Sequence, residues 1–331
     1  ANDKAWINYN NVSSEWATYE KSEPWDVDTP LPRGISSVNG NFGQSVKLSS
    51  DNNFAAVGEP GYDGNIGSVT TYVLSFNNTL VENLSVSSPV LTGTQKLGYS
   101  LDNGTDYIVA GAPGSYSNKG YAFVYKRDYQ GTIIQHQILA PNTVVAEEFG
   151  YSVAMSEDDQ WMYVGAPGGD SVYVYAYNGD VTEESYNIVA NGVGSVYTLG
   201  FTPVAQDLLT LSGTNIDYVP NVHFTLSGST ITFTSPPTAG NIVARQAPGF
   251  MCMDKITSAN AGSAFGFSVV CTTDGSQFAA GAPLDIADNI SGNAIVAGTV
   301  SLYDRTIDNY IAGAGQYLFG GIRPILSISK V

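Results

Sequence analysis

Charge is scarce in this chain. Asp, Glu, Lys and Arg make up 13% of its 331 residues, about half of the ~25% usual for globular domains. What charge there is leans one way, with 30 acidic against 13 basic side chains and a net charge of −17. That balance excludes nucleic acid and anionic membrane as expected partners, because both attract basic patches. Cysteine is limited to Cys252 and Cys271, too few for a disulfide framework, and free, part-buried thiols are expected. Histidine is limited to His136 and His223. Each sits in a strand-like run, in a different part of the chain, without a metal-ligand neighbour at helical or hairpin spacing. No stretch is long and apolar enough to insert across a bilayer. There is no Gly-x-Ser-x-Gly elbow to anchor a hydrolase triad, no glycine-rich loop opening a helix, and no convincing helical period. These absences leave no catalytic, cofactor-binding or metal-binding constellation, and the expectation is a protein that is not an enzyme. Paired carboxylates of the glycosidase type are the one arrangement that spacing does not exclude, since such partners meet only in three dimensions.

What the chain does have is a repeated phrase. It reads FGQSVKLSSDNNFAAVGEP at 42–60, LGYSLDNGTDYIVAGAP at 97–113, FGYSVAMSEDDQWMYVGAP at 149–167 and FGFSVVCTTDGSQFAAGAP at 265–283. The openers are 55, 52 and 116 residues apart, and a fifth Phe-Gly pair at Phe319-Gly320 follows 54 residues later. The long step holds one extra segment. A period near fifty residues means one supersecondary unit copied around a ring or along a stack. Within a copy, Phe149 to Met155 alternates at period two, Ser156-Glu157-Asp158-Asp159 forms a tight tip, and Trp161-Met162-Tyr163-Val164 is β-rich. Such a run reads as a hairpin. A third strand follows in each copy, such as Tyr121–Tyr125 or Ser171–Tyr175, and a looser fourth completes it. Four antiparallel strands per copy is the content of a propeller blade. Glu15–Glu20 matches the third-strand slot, and Phe319–Val331 reads as the front of a blade. The spacing therefore predicts about five four-stranded blades closed by N- and C-terminal strands, which removes exposed sheet edges.

At these residues the chain resembles the FG-GAP repeat family, known from the β-propeller of integrin α subunits and from bacterial and viral surface proteins. The resemblance covers roughly 16–180 and 259–331. The family often holds calcium in an acidic hairpin between FG and GAP. This chain departs from that pattern, because its tips hold about four residues, too few for a multidentate calcium loop. Asp51, Glu157, Asp158, Asp159 and Asp274 are read as turn residues bonded to their own backbone. The segment Leu284–Asn289 is a better ion candidate, but it is read as an ordinary surface loop. No cofactor is expected.

Residues 186–250 read as a small inserted all-β module between propeller segments 1–185 and 251–331. Ser195–Phe201, Ser229–Thr234 and Asn241–Arg245 alternate between Gly/Pro punctuation. The module is similar to a short β-sandwich found in bacteriophage tail and fibre proteins. With the low charge and 21 tyrosines, the two resemblances imply a non-enzymatic structural component of a phage virion, such as a tail, fibre or capsid-surface protein. It would be a rigid attachment platform assembled as a homo-oligomer in the host cytoplasm. Its partners would be other virion proteins and a host-surface glycan or protein. The alternative is a secreted or cell-surface adhesin or glycan-binding lectin, with a polysaccharide depolymerase behind it. The alternating aromatics Tyr173, Tyr175, Tyr177 and Tyr121, Phe123, Tyr125 are read as packing between blades rather than as a sugar platform. Trp6, Trp16 and Trp25 are read as anchors of the closing blade or of a neighbouring protein.

Overall fold

The computed structural model describes residues 39–329, apart from breaks at 52, 75–79, 88–93, 129, 144–145, 215, 289–293, 297 and 306–321. The chain is all-β, and its main architecture is a succession of four-stranded antiparallel sheets, as in a β-propeller. The first sheet is Ser45–Leu48, Phe54–Glu59, Ser68–Leu74 and Leu80–Ser87, in that spatial order. The second is Ser100–Asn103, Tyr107–Ala112, Tyr121–Arg127 and Ile133–Leu139. The third is Ser152–Met155, Trp161–Ala166, Ser171–Asn178 and Gly249–Thr257. The fourth is Ser268–Cys271, Gln277–Ala282, Thr299–Arg305 and Ile322–Ser329.

The repeated phrase is a sheet-packing device. The opener glycines Gly98, Gly150 and Gly266 take φ of 82°, 85° and 91°, a region that L side chains avoid. This turns each opener carbonyl onto the preceding sheet, where the hydroxyl of Ser45, Ser100 or Ser152 donates to it at 2.7, 2.8 and 2.8 Å. The second glycine of the phrase faces the same carbonyl. A Cβ at Gly58, Gly111 or Gly165 would lie 2.0, 1.8 or 2.0 Å from that oxygen. Gly-x-Ser and Gly-Ala-Pro therefore recur because one close approach between sheets recurs.

Strand alternation sends neighbouring residues into opposite wedges. Tyr163 packs with Phe278 of the fourth sheet, while Val164 packs with Val109 of the second. Tyr173 and Tyr175 are buried between the second and third sheets. Tyr121, Phe123 and Tyr125 are buried in a separate cluster shared with the first sheet. Fully burying such a ring contributes about 1.5–3 kcal/mol. The helix-like segments after the first two Gly-x-Pro motifs, Tyr62–Asn65 and Ser115–Asn118, are single turns with left-handed residues. Asp63, Gly64 and Asn65, then Tyr116, Ser117 and Asn118, all have positive φ. Asn65 and Asn118 carbonyls then accept from the Lys96 and Glu148 amides just before the next opener.

Two features differ from the sequence reading. The inserted module does not join two sheets. It interrupts the third, leaving after Asn178 and returning at Gly249, which are paired neighbours. The module itself has one sheet of Glu184–Ala190, Gly240–Gln246, Leu209–Gly213 and Ile216–Tyr218, and another of Val196–Thr198, Thr230–Phe233 and Phe224–Ser227. Its own core contains Ile188, Leu211, Phe224, Ile231, Phe233 and Ile242. It is seated on the second sheet through Gln135 Nε2 to Asp217 Oδ2 (2.9 Å), Gln137 Nε2 to Asp207 O (2.7 Å) and Lys119 Nζ to Asn221 O (3.0 Å). The second difference is at the C-terminus. Ile322–Ser329 pairs with Thr299–Arg305 and completes the fourth sheet, so it does not begin a fifth. Phe319-Gly320, Glu15–Glu20 and the three N-terminal tryptophans lie outside the described residues.

Candidate active site

The inner strand of each sheet lies against the inner strand of the next. At the ends where these strands turn into their hairpins, the four enclose a cavity of about 220 Å³. Lys47, Asp102, Glu157, Cys271 and Thr273 are among the residues lining it. The Lys47 ammonium meets Asp102 Oδ1 at 2.5 Å. Asp102 is 8% exposed. Its Oδ2 accepts from the Met155 amide at 2.8 Å, and Oδ1 also accepts from the Asn103 amide at 2.9 Å. One carboxylate thus ties the first three inner strands together and fixes the lysine that faces the cavity.

Glu157 is placed by its backbone. Its amide donates to Thr273 O of the fourth sheet at 2.8 Å, and its carbonyl accepts from Thr105 Oγ1 of the second at 2.7 Å. The side chain is exposed at the cavity mouth. Burial, reinforced by the Asp102 charge, pushes the Cys271 thiol up to about 12, so it is a neutral lining group rather than a nucleophile. The arrangement offers a fixed cation and an accessible carboxylate on one small cavity. It can neutralise negative charge on a bound oxygen and accept a proton.

The residues weighed from sequence fall elsewhere or take other roles. Asp51, Asp158 and Asp274 each close their own hairpin turn. Asp51 accepts from Ser49 Oγ and the Asn53 amide, Asp158 from Ser156 Oγ and the Gln160 amide, and Asp274 from Thr272 Oγ1 and the Ser276 amide. Those hydrogen bonds hold the Asp274 carboxyl down at about 2. Among the described residues no cluster of His, Cys, Asp and Glu could hold a metal ion. His136 Nε2 lies 2.8 Å from Pro248 O, and His223 Nδ1 accepts from the Val219 amide at 2.9 Å. Burial lowers both imidazoles below their ordinary range, and neither lines the cavity. Cys252 and Cys271 are free thiols.

Lys47 and Asp102 were passed over in the sequence, yet a signal was there. Both stand five residues after their opener's first residue, where the other two copies carry Ala154 and Val270. Charge at a position that is otherwise small and apolar breaks the repeat.

No family model matches the chain, and no curated protein matches it. Solved structures do. One is a Bacteroides fragilis protein named as a candidate 6-phosphogluconolactonase, with a TM-score of 0.35 at 12% identity over 89% of this chain and 73% of that one. Another is the periplasmic gluconolactonase of Pseudomonas aeruginosa, with a TM-score of 0.35 at 14% identity over 91% and 88%. A third, from Bacteroides uniformis and named like the first, has a TM-score of 0.35 at 11% identity over 89% and 74%. The expectation of an FG-GAP family member is corrected by these results, since no such family model matches and none of these names is of that kind. The names are those of enzymes and lend no support to the reading as a non-enzymatic virion component, adhesin or lectin. The physical reason for the misreading is that Gly-x-Ser and Gly-Ala-Pro report a packing contact. A TM-score of 0.35 gives no residue correspondence with these structures.

Proposed function

We propose that the protein is an enzyme acting on a compact, oxygen-rich small molecule in the axial cavity, by hydrolysis of an ester-type bond. The observation that carries this reading is the meeting of Lys47, pinned by Asp102, with the accessible Glu157 carboxylate around about 220 Å³. That volume is below the ~300–1,000 Å³ of pockets for drug-sized ligands, which favours a small substrate. In this reading Glu157 takes a proton from water as it attacks the carbonyl carbon, and returns that proton to the leaving alkoxide oxygen as the tetrahedral intermediate collapses and the ester C–O bond breaks. The oxyanion that forms is stabilised by the Lys47 ammonium. Asp102 keeps that ammonium in place and does not touch substrate.

The ring count belongs to the same proposal. The outer face of the fourth sheet carries Val270 at 62% and Val300 at 50% exposure, where the third sheet has Ala154 at 2% and Val172 at 0%. Ser268 and Gly281 stand paired there as in the other sheets. One further sheet would cover that face and bring the ring to five.

Proton release from a panel of sugar lactones and simple cyclic esters tests the activity. Lys47→Met should lower kcat by about 10²–10³-fold, and Glu157→Gln by about 10²–10⁴-fold. No turnover by the wild type, or turnover that survives both substitutions, refutes the reading.

A further inference from the structure

Asp159 belongs to the hairpin of the third sheet but is bonded to the second. Its Oδ2 accepts from the Asp106 amide at 2.7 Å and its Oδ1 from the Tyr107 amide at 3.3 Å. Gly104 lies so close that a Cβ there would fall 2.0 Å from Oδ1. The same second-sheet tip reaches back through Thr105 Oγ1 to the carbonyl of Glu157. The two tips are therefore joined by a closed loop of contacts: Asp159 holds residues 106 and 107, and residue 105 holds Glu157.

We infer that Asp159 is a positioning residue, a proton-sensitive clamp that fixes the second-sheet tip and, through Thr105, the place of Glu157 at the cavity mouth. This rests on the proposed role of Glu157 for its functional meaning, but the clamp itself is testable without substrate. An ionised Asp159 accepts both amide bonds, and such charge-assisted bonds are stronger than neutral ones. Burial outweighs those bonds, so the clamped site binds a proton more tightly than a solvated carboxylate does: protonation keeps the tip seated, and ionisation strains it.

The surroundings place the change in a useful range. Burial, opposed by the two amide bonds and reinforced by the charges of Asp106 and Asp158, raises the Asp159 carboxyl to about 6. On its own hairpin Asp158 and Glu157 are the other charges. On the second sheet, Asp106 and Tyr107 face it. Lys126 sits 5.8 Å from the Tyr107 ring centroid, and the Arg127 guanidinium donates to Thr105 O at 2.5 Å. His136 lies tilted against Tyr107 with ring centroids 5.2 Å apart, and Tyr177 shares a 3.2 Å hydroxyl contact with it. The cations on this side engage Tyr107 and Thr105, whereas Asp106 and Asp158 repel the ionised carboxylate.

The test is a two-dimensional amide NMR titration of the intact protein from pH 7.5 to 5. The expected result is that the Asp106, Tyr107, Thr105 and Glu157 amides shift together with a midpoint of about 6. In Asp159→Asn the shared midpoint should be lost. Thr105→Val should leave the Asp106 and Tyr107 shifts in place and abolish that of Glu157. Flat Asp106 and Tyr107 amides would overturn the clamp. A Glu157 amide that stays still while they move would overturn its link to the cavity. Either outcome is independent of whether any ester is hydrolysed, so failure here and failure of the proposed activity are told apart.

Discussion

Gly111→Ala probes the sheet-packing device at its tightest point. The new methyl would lie 1.8 Å from Gly150 O and 2.3 Å from Ser100 Oγ. Neither neighbour can retreat cheaply, because the first is backbone of the next opener and the second is the donor to it. The sheets must part, or the opener must turn. Overpacking of this kind costs about 1–3 kcal/mol, and the lost Ser100 to Gly150 bond adds about 1 kcal/mol. A total near 3 kcal/mol is expected, with Ser100→Ala as the reference at about 1 kcal/mol. Urea unfolding followed by circular dichroism measures both. Equal costs for the two variants, or a Gly111→Ala cost below 1 kcal/mol, would show that the repeated glycine is not there to admit the carbonyl. Gly281→Ala then asks about the ring. Within the described residues its methyl would meet Ser268 Oγ and no opener carbonyl. A cost matching Gly111→Ala supports a further sheet on that face, whereas a cost close to that of Ser100→Ala leaves the face uncovered.

Two further outcomes follow from the same geometry. Asp159 has its folded pKa raised from 3.8 to about 6, so its ionised form is disfavoured in the native state. The wild type should gain stability as pH falls through about 6 towards 3.8 and lose that gain as pH rises back through 6. An amplitude of about 1–3 kcal/mol is expected after allowing for partial solvent access. Asp159→Asn should remove this gain in thermal melts across that range, and an unchanged slope counts against a strained carboxylate. Excising residues 179–248 and joining Asn178 to Gly249 with a short turn should leave a folded all-β protein, because those two residues are already paired. The shortened chain should elute as a compact species and melt lower, having lost Val219 and Val222 from the cluster they share with the second sheet. Collapse to an unfolded chain would show that the module is part of the fold rather than an insertion.

Much of the architecture was legible in the sequence, because its signals are local. Phe149 to Met155 alternates, Ser156–Asp159 turns, and Gly-Ala-Pro ends a strand, so each copy declared its own hairpin. The aromatic rows at Tyr121–Tyr125 and Tyr173–Tyr175 were readable as packing, since their rings recur wherever a wedge between sheets must be filled. The end of the chain misled for an equally physical reason. Ile322–Ser329 alternates as well as any first strand does, and alternation does not say which neighbour a strand pairs with. Thr299–Arg305 had a free edge, and the strand completes that sheet. Residues 186–250 read as the module, and the alternation in Gly249–Thr257 does not say which sheet the returning strand joins. Only its pairing with Ser171–Asn178 returns it to the third sheet.

The cavity residues are a different case. Lys47 and Asp102 are 55 residues apart, and no spacing rule joins them. A repeat protein, however, supplies its own reference. Each copy states what its place in the ring requires, and Ala154 and Val270 show that the fifth position after the opener requires only a small or apolar filler. A lysine and an aspartate in that slot add nothing that packing asks for. They also bring a desolvation cost, which their 2.5 Å contact offsets. Charges placed where the fold would accept a methyl group, on two adjacent inner strands facing one cavity, are best explained by something that binds there. Replacing the pair together, Lys47→Val with Asp102→Ala, should therefore abolish ester turnover while costing in urea unfolding only the about 1–3 kcal/mol of the Met155 amide left unpaired. A larger loss of stability in that double variant would return the pair to a structural role and take the proposed active site with it.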